Sequence, residues 1–301
     1  MLNSSFCTIT TQSHLYKVYA LANSLSMNNL PLTVLLVDAD QIPINEQSNI
    51  EFILLSELTT NLTINIVNKY RNDLDKLRWA LKSCFLLHLL NNYKKVIYID
   101  NDVCFYNSAL FLFDKLTSSS ILLTPHFYEA NPFHRQNWLE ANFRVGLFNA
   151  GFIGVNIYAT PFLEWWANCC LYNVKKSYWR GLFDDQKYLD LVPILFNDVE
   201  ILKHPGCNLA GWNYKNYHLH RLGNGDILIN DIYSVVFIHF AELSCIEFAS
   251  GNHFLHPEFK QYDLLLKHYA ADFNFKRSIF NKRTILTYLY FLKWKLFRLV
   301  E

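Results

Sequence analysis

Glycine is scarce and arrives late. The chain has 9 glycines in 301 residues and the first is Gly146. The first half therefore holds no dinucleotide fingerprint, Walker A loop or kinase glycine-rich loop, all of which need glycine where backbone closes on phosphate. A surplus of positive charge is also missing. Lys plus Arg (27) nearly cancels Asp plus Glu (26), which removes the basis for a nucleic-acid binder that neutralises many phosphates. The seven cysteines (Cys7, Cys84, Cys104, Cys169, Cys170, Cys207 and Cys245) are odd in number and contain no C-x-x-C pair. They read as reduced thiols in a cytosol, not as a disulfide framework or zinc site. The start, MLNSSFCTITTQSHLYK, lacks a basic segment followed by a long apolar run, so no secretory signal is visible. Apolar mass is what the chain has: 51% hydrophobic and 16% aromatic residues exclude a disordered or fibrous chain and supply a substantial core.

Hydrophobic periodicity organises the first half. Residues 6–11 are rich in β-formers and lead through a polar turn into a helically spaced apolar stretch at 15–25. The runs at 32–37 and 51–55 are short, continuous and branched, as in strands covered on both faces of a parallel sheet. Leu74, Leu77, Leu81, Phe85 and Leu89 then recur at helical spacing, with Asn72 or Asp73 as the cap and Asn91 and Asn92 as the break. Next comes Val96-Ile97-Tyr98-Ile99, an apolar strand that stops at Asp100-Asn101-Asp102. The second half is less regular. It offers a strand at 121–124, a polar and aromatic loop to Arg144, helices at 161–171 and 184–191, and a late strand at 235–240. The pattern predicts an α/β fold in one domain with two lobes.

In open α/β sheets ligands bind beyond the carboxyl ends of the strands, which is where Asp100 and Asp102 fall. On an extended strand end, residues two apart point the same way, so both acids can face one ion while Asn101 turns aside. The plainer alternative is a turn and helix cap. Asn149 and the Gly151-x-x-Gly154 spacing suggest backbone passing close to a ligand or another strand, or a sheet bulge. Asn208, Trp212 and Asn213 follow the turn signal His204-Pro205-Gly206 and combine amides with a flat aromatic surface suited to a sugar. A buried tryptophan is the other reading there.

The helix Leu77-Arg78-Trp79-Ala80-Leu81-Lys82, the strand 96–99 and the Asp100-Asn101-Asp102 motif resemble the nucleotide-binding half of GT-A nucleotide-sugar glycosyltransferases. Downstream, Asn149-Ala150-Gly151, Trp165-Trp166, Asp185-Gln186, Trp212-Asn213 and Ile238-His239-Phe240 match in order. The resemblance implies a Rossmann-like mixed sheet with flanking helices over residues 1–270, divided into a nucleotide-binding half at 1–102 and a second half at 103–270. It also implies metal ligands at Asp100, Asp102 and His239, of which His239 has a core-histidine alternative. A mixed oxygen and nitrogen set suits Mn²⁺ better than Mg²⁺. One departure stands out: related sequences continue after His-Phe with a small residue and glycine, whereas Ala241-Glu242-Leu243 follows here.

The same likeness assigns the Asp100-Asn101-Asp102 turn, Asn149 and Gly151 to the donor. Arg78 and Lys82 share a helical face that can point to the diphosphate, to Asp100 or to solvent. Thr8, Thr10 and Thr11 can bond base or ribose, or serve as ordinary strand and turn residues. Asp185 would orient the donor sugar and Gln186 would stabilise an oxocarbenium-like centre in a retaining reaction. Acids at a helix start are the competing explanation for Asp184 and Asp185, and inversion would instead use Asp184, Asp185 or Glu242 as base. Asn208, Trp212 and Asn213 would meet the acceptor.

The segment 271–301 mixes Lys276, Arg277, Lys282, Arg283, Lys293, Lys295 and Arg298 with aromatics and leucines, and its apolar stretch is too short to span a bilayer. It reads as a basic amphipathic tail lying on an anionic membrane face, or as a helix docked on the domain. The resemblance thus implies a metal-dependent transferase on the cytosolic membrane face, moving sugar from a nucleotide-diphosphate donor, a UDP-sugar first, to a surface glycan or lipid-linked acceptor. A sugar-nucleotide pyrophosphorylase is one rival, though its glycine-rich phosphate loop is missing; a non-catalytic glycan-binding or nucleotide-binding protein is another.

Overall fold

The computed structural model describes residues 2–45 and 47–273. The basic residues from Lys276 to Arg298, and with them the tail's proposed membrane contact, lie outside the described residues. The strands are β1 (Leu2–Thr10), β2 (Leu32–Leu36), β3 (Ile50–Leu54), β4 (Tyr93–Ile99), β5 (Val103–Phe105), β6 (Ile121–Pro125) and β7 (Phe148–Asn156). They continue with β8 (Val199–Ile201), β9 (Cys207–Leu209), β10 (Leu219–Arg221), β11 (Ile227–Ile229), β12 (Tyr233–Ser234) and β13 (Phe237–His239). The helices are α1 (Leu15–Leu25), α2 (Asn61–Tyr70), α3 (Leu74–Leu89), α4 (Leu110–Ser118), α5 (Gln136–Arg144), α6 (Thr160–Tyr172), α7 (Val192–Leu195), α8 (Glu242–Phe248) and α9 (His256–Tyr269).

Seven strands form a mixed sheet in the order β3-β2-β1-β4-β7-β6-β8. Strands β1 to β4 pair in parallel, and β7 runs antiparallel to both β4 and β6. The centre of the sheet is covered on both faces, which explains why β2 and the end of β4 read as unbroken apolar runs. Successive residues go to opposite faces. Cys7, Tyr98 and Ile153 pack with Leu81, Phe85 and Trp166 of α3 and α6, while Phe6, Ile97 and Phe152 pack with Leu21 of α1 and Leu112 of α4. A second sheet, β5-β13-β9, stands at the end of β4. Helices α8 and α9 close over it through Phe240, Phe248 and Tyr262. Helix α3 begins where expected, with Asp73 accepting from the Lys76 N–H as its cap.

Three expectations need correction. The predicted helix at 184–191 is a 3₁₀ stretch, Gln186–Leu191, followed by the single turn α7. Asp184 takes a left-handed backbone (φ 48°) that no helix can include, and Pro193 favours a fresh first turn. The late strand expected at 235–240 is only the three residues of β13, because Tyr233–Ser234 just before it pairs as β12 in a different sheet. The loop to Arg144 contains α5, a helix whose largely polar sequence buries only Ala141 and so leaves a weak apolar signal.

Gly206 holds β13 in place. Its carbonyl accepts from the Val236 and Phe237 N–H groups at 2.8 and 3.2 Å, and a Cβ there would lie 2.0 Å from the Ser234 carbonyl oxygen. No side chain can yield to that contact, since both partners are backbone. Gly206→Ala is therefore expected to destabilise the protein by about 2 kcal/mol or more, the scale of overpacking. Urea unfolding checks this, and an unchanged midpoint would contradict it.

Candidate active site

The site begins where β4 stops. Asp100 N–H donates to the Gly151 carbonyl at 2.9 Å, and Val103 N–H closes a turn onto the Asp100 carbonyl at 3.2 Å. That turn passes the chain from the central sheet to β5, which pairs antiparallel with β13 so that Val103 lies opposite His239. Phe240 N–H then donates to the Asp102 carbonyl at 2.8 Å. Backbone pairing thus brings His239 beside Asp100 and Asp102, from which it is far apart in sequence. The potential ligand atoms of Asp100, Asp102 and His239 all lie within 4.8 Å of one another. His239 Nε2 is 3.0 Å from Asp102 Oδ1.

Charge follows geometry. Burial pushes the Asp102 carboxyl up, but the His239 ring outweighs it and holds Asp102 well below the usual carboxylate range. Burial likewise opposes a charged His239, yet Asp102 and then Asp100 lift its pKa above that of an ordinary imidazole. Behind the ring, Asn149 Nδ2 sits 3.0 Å from His239 Nδ1 and donates to Asn208 Oδ1 at 2.8 Å, while Asn149 Oδ1 accepts from the Gly151 N–H at 2.8 Å. Trp212 meets His239 edge to face, with centroids 5.4 Å apart. The Trp212 indole N–H and the Asn213 amide both donate to the His126 carbonyl at 2.9 Å. Burial chiefly, and the charge of His239 next, push His126 down to about 3, so this ring is neutral at ordinary pH.

Lys82 and Asp185 form the second layer. The Lys82 ammonium lies 3.1 Å from Asp185 Oδ2 and 3.4 Å from Asp100 Oδ1, and donates to the Ala150 carbonyl at 3.0 Å. Burial works against that ammonium, but Asp100 and Asp185 raise its pKa above the ordinary lysine value. Burial likewise raises Asp185, with Lys82 pulling in the opposite direction. The Trp166 indole N–H pins the Asp185 carbonyl at 2.9 Å. Tyr98 donates to Asp100 Oδ1 at 2.8 Å. Neighbouring Asp184 pairs with Lys176 at 3.2 Å, and burial lifts its pKa to about 6 against the pull of Lys176.

Most residues singled out from the sequence converge here, though several in supporting positions. Asn208, Trp212 and Asn213 are buried, at 0%, 7% and 0% exposure, and their polar groups are spent on backbone and on one another. The open sugar platform expected of them is absent; they back the His239 ring instead. Thr8 is wholly buried within the sheet and does not line the cleft. Thr10 accepts from the Asn101 amide at 3.1 Å, and Thr11 bonds the His14 ring at 2.8 Å, so both shape the turns around the site. Arg78 pairs with Asp75 on the cleft rim. Gln186 donates to the Val145 carbonyl at 3.2 Å.

Sequence reasoning passed over Tyr98, Lys17 and Lys176. Tyr98 was legible as the residue two before Asp100 on one strand; the other two come from segments that carried no motif.

A cleft of about 410 Å³ opens over the turn, lined by Asp100, Asn101 and Asp102 together with Trp79 and Lys176. Two carboxylates and an imidazole form a donor set for a divalent cation. The strand beside them makes room: a Cβ on residue 151 would lie 2.7 Å from Asp100 Oδ2 and 2.8 Å from His239 Cε1. The residues present fit a bound metal.

No family model matches the chain. In sequence it is similar to two uncharacterized proteins of Bacillus subtilis. YfnF is 28% identical over 250 residues, covering 80% of this chain and 82% of the relative; YfnD is 24% identical over 253 residues, covering 80% and 78%. In structure it is similar to the apo form of the glycosyltransferase GlyE of Streptococcus pneumoniae, with a TM-score of 0.51 and 14% identity over 90% of this chain. The match covers 64% of GlyE, less than two thirds of its length. An active-site mutant of LgtC aligns with a TM-score of 0.50 and 14% identity, over 86% of this chain and 94% of LgtC. These likenesses establish the fold: the chain has the GT-A architecture of glycosyltransferases.

Gly151→Ala tests the cradle. A methyl group there must displace Asp100 or His239, so Mn²⁺ affinity is expected to fall at least ~10-fold, the scale of disturbing a ligand's support. Calorimetric titration of Mn²⁺ into wild type and variant reads the loss, with circular dichroism as the folding control. Equal affinities in a folded variant would show that the ion is not held here.

Proposed function

We propose that this chain is a metal-dependent glycosyltransferase that moves a sugar from a nucleotide-diphosphate donor, with UDP as the favoured carrier. The observation that carries this is the meeting of Asp100, Asp102 and His239 under one cleft at the carboxyl end of β4, on a GT-A fold. Asp100, Asp102 and His239 would hold the cation, Mn²⁺ before Mg²⁺. Bound there, it supplies a positive charge against the charge that develops on the departing diphosphate.

The chain's own residues do the rest. Tyr98 and Lys82 both fix the Asp100 carboxylate through its Oδ1. Lys82 also sets the position of Asp185, which would orient the donor sugar, with Gln186 beside the anomeric carbon. In the transfer the anomeric C–O bond to the diphosphate breaks with its electron pair going to the phosphate oxygen. The acceptor oxygen bonds the anomeric carbon, and the acceptor's hydroxyl proton leaves with the nucleoside diphosphate. We favour retention. Glu242 favours a second reading: it is an exposed carboxylate lining the same cleft, and inversion needs a base placed at the acceptor hydroxyl.

The test is a panel of nucleotide sugars with and without Mn²⁺, read as free sugar and nucleoside diphosphate. Metal-dependent release is expected for at least one donor. Asp102→Ala should lower the rate at least 100-fold while the fold survives, on the scale of losing one electrostatic stabiliser of the transition state. Product formed from sugar phosphate and nucleoside triphosphate would favour the pyrophosphorylase, and binding without turnover the non-catalytic protein.

The acceptor we propose is a surface glycan or lipid-linked saccharide, met at the cytosolic membrane face through the basic, aromatic segment 271–301. Among the described residues no helix is long and apolar enough to cross a membrane. Truncation after Phe275 is expected to abolish sedimentation with vesicles containing anionic lipid, and undiminished sedimentation would remove the membrane contact.

A further inference from the structure

A nucleoside diphosphate needs cations besides the metal, and the two basic residues expected to provide them are already committed. Lys82 is buried between Asp100 and Asp185, and Arg78 is paired with Asp75. Lys176, also in the cleft wall, is held by Asp184 at 3.2 Å and lies over the rings of Trp79 and Phe183 at 5.3 and 4.9 Å. Lys17 is the exception. It lines the same cleft as Asp100 and Asp102 and is half-buried. Among the described residues it makes no hydrogen bond, ion pair or ring contact. Its charge reaches far enough to help lower the Asp102 pKa.

What attracts Lys17 in the ligand-free protein is the charge of Asp102 beyond ion-pair distance, not a bonded partner. Lys17 stands in the first turn of α1, where the helix dipole disfavours a cation, and no acidic residue shares that turn. Glu242 enters the cleft as well and repels an anionic ligand, which increases the need for an uncommitted ammonium. A side chain kept at an unfavourable end of a helix, beside two metal-ligating acids, is placed for an anion that the metal also holds.

We infer that Lys17 is the side chain that grips the diphosphate of the nucleotide donor alongside the metal acids. This rests on the function proposed above. The Lys17 ammonium donates to a phosphate oxygen that the cation leaves free, so its contribution depends on the phosphates and not on the base or sugar.

Calorimetric titration of the full chain with UDP and with uridine, both in excess Mn²⁺, tests it against Lys17→Met and Lys17→Arg. UDP affinity is expected to fall ~10- to 100-fold in Lys17→Met, as for loss of a charge-assisted hydrogen bond. Uridine affinity should stay the same, and Lys17→Arg should recover most of the loss. Without ligand, Lys17→Met should keep the wild-type circular dichroism spectrum, so that a fall in UDP affinity in the folded variant supports the phosphate contact. Equal UDP affinity in wild type and Lys17→Met overturns the inference even if donors are turned over. UDP binding that depends on Lys17, in a protein that turns over no donor, upholds it and removes the transferase instead. Failure of wild type to bind UDP removes both.

Discussion

One buried ammonium ties the site to the fold. Lys82 reaches from α3 to Asp100 at the tip of β4, to Asp185 after α6 and to the Ala150 carbonyl on β7. Without it the Asp100 and Asp185 carboxylates would repel each other uncompensated, and like charges repel more strongly where hydration is poor. Burying a charge is costly unless it is paired and hydrogen-bonded. Here one cation serves two acids, Asp100 at the rim of the cleft and Asp185 buried behind it. The proposed roles of those two acids would therefore be coupled through one ammonium.

The second constraint is the turn 100–102. It belongs to two sheets at once, because Asp100 N–H bonds to β7 and the residue after Asp102 opens β5. Metal ligands on mobile loops must be ordered each time an ion binds. Ligands on the ends of paired strands are ordered already, and a wall of Asn149, Asn208 and Trp212 sets the His239 ring. That wall explains why amides and a tryptophan occur together at 208–213.

The parts legible in the sequence are those set by local periodicity. Strand β2 and the last four residues of β4 read as apolar runs because both of their faces are buried, β1 and the edge strand β3 read through their β-forming residues, and α3 announced itself by spacing and by the Asp73 cap. Asp100 and Asp102 were readable because a buried strand ends abruptly in charge. The orientation of 208–213 was not. Whether a tryptophan faces a sugar or a histidine depends on which strand lies beside it, and β9 lies beside β13 through a pairing made across some thirty residues. The helix expected at 184–191 failed for a similar reason. Acids at 184 and 185 suit a helix start, but the backbone there bends to bring Asp185 against Lys82, and that long-range ion pair prevails over local preference.

Lys17 was invisible for a different reason: it is a lone cation in an ordinary amphipathic helix, and only its neighbours distinguish it. Sequence reasoning looks for basic residues in motifs, and the motif residues Arg78 and Lys82 do lie at the site. Proximity alone does not make a cation available to a ligand. An ammonium already neutralised by two carboxylates adds little attraction for a phosphate, since the field of the acids cancels its own. The cations that matter for an incoming anion are those not already bonded to an acid before it arrives. A cleft that binds diphosphate should therefore carry at least one basic group whose hydrogen bonds are still free. In this fold the α1 N-terminus provides the place, next to the acids whose metal the same phosphates would share.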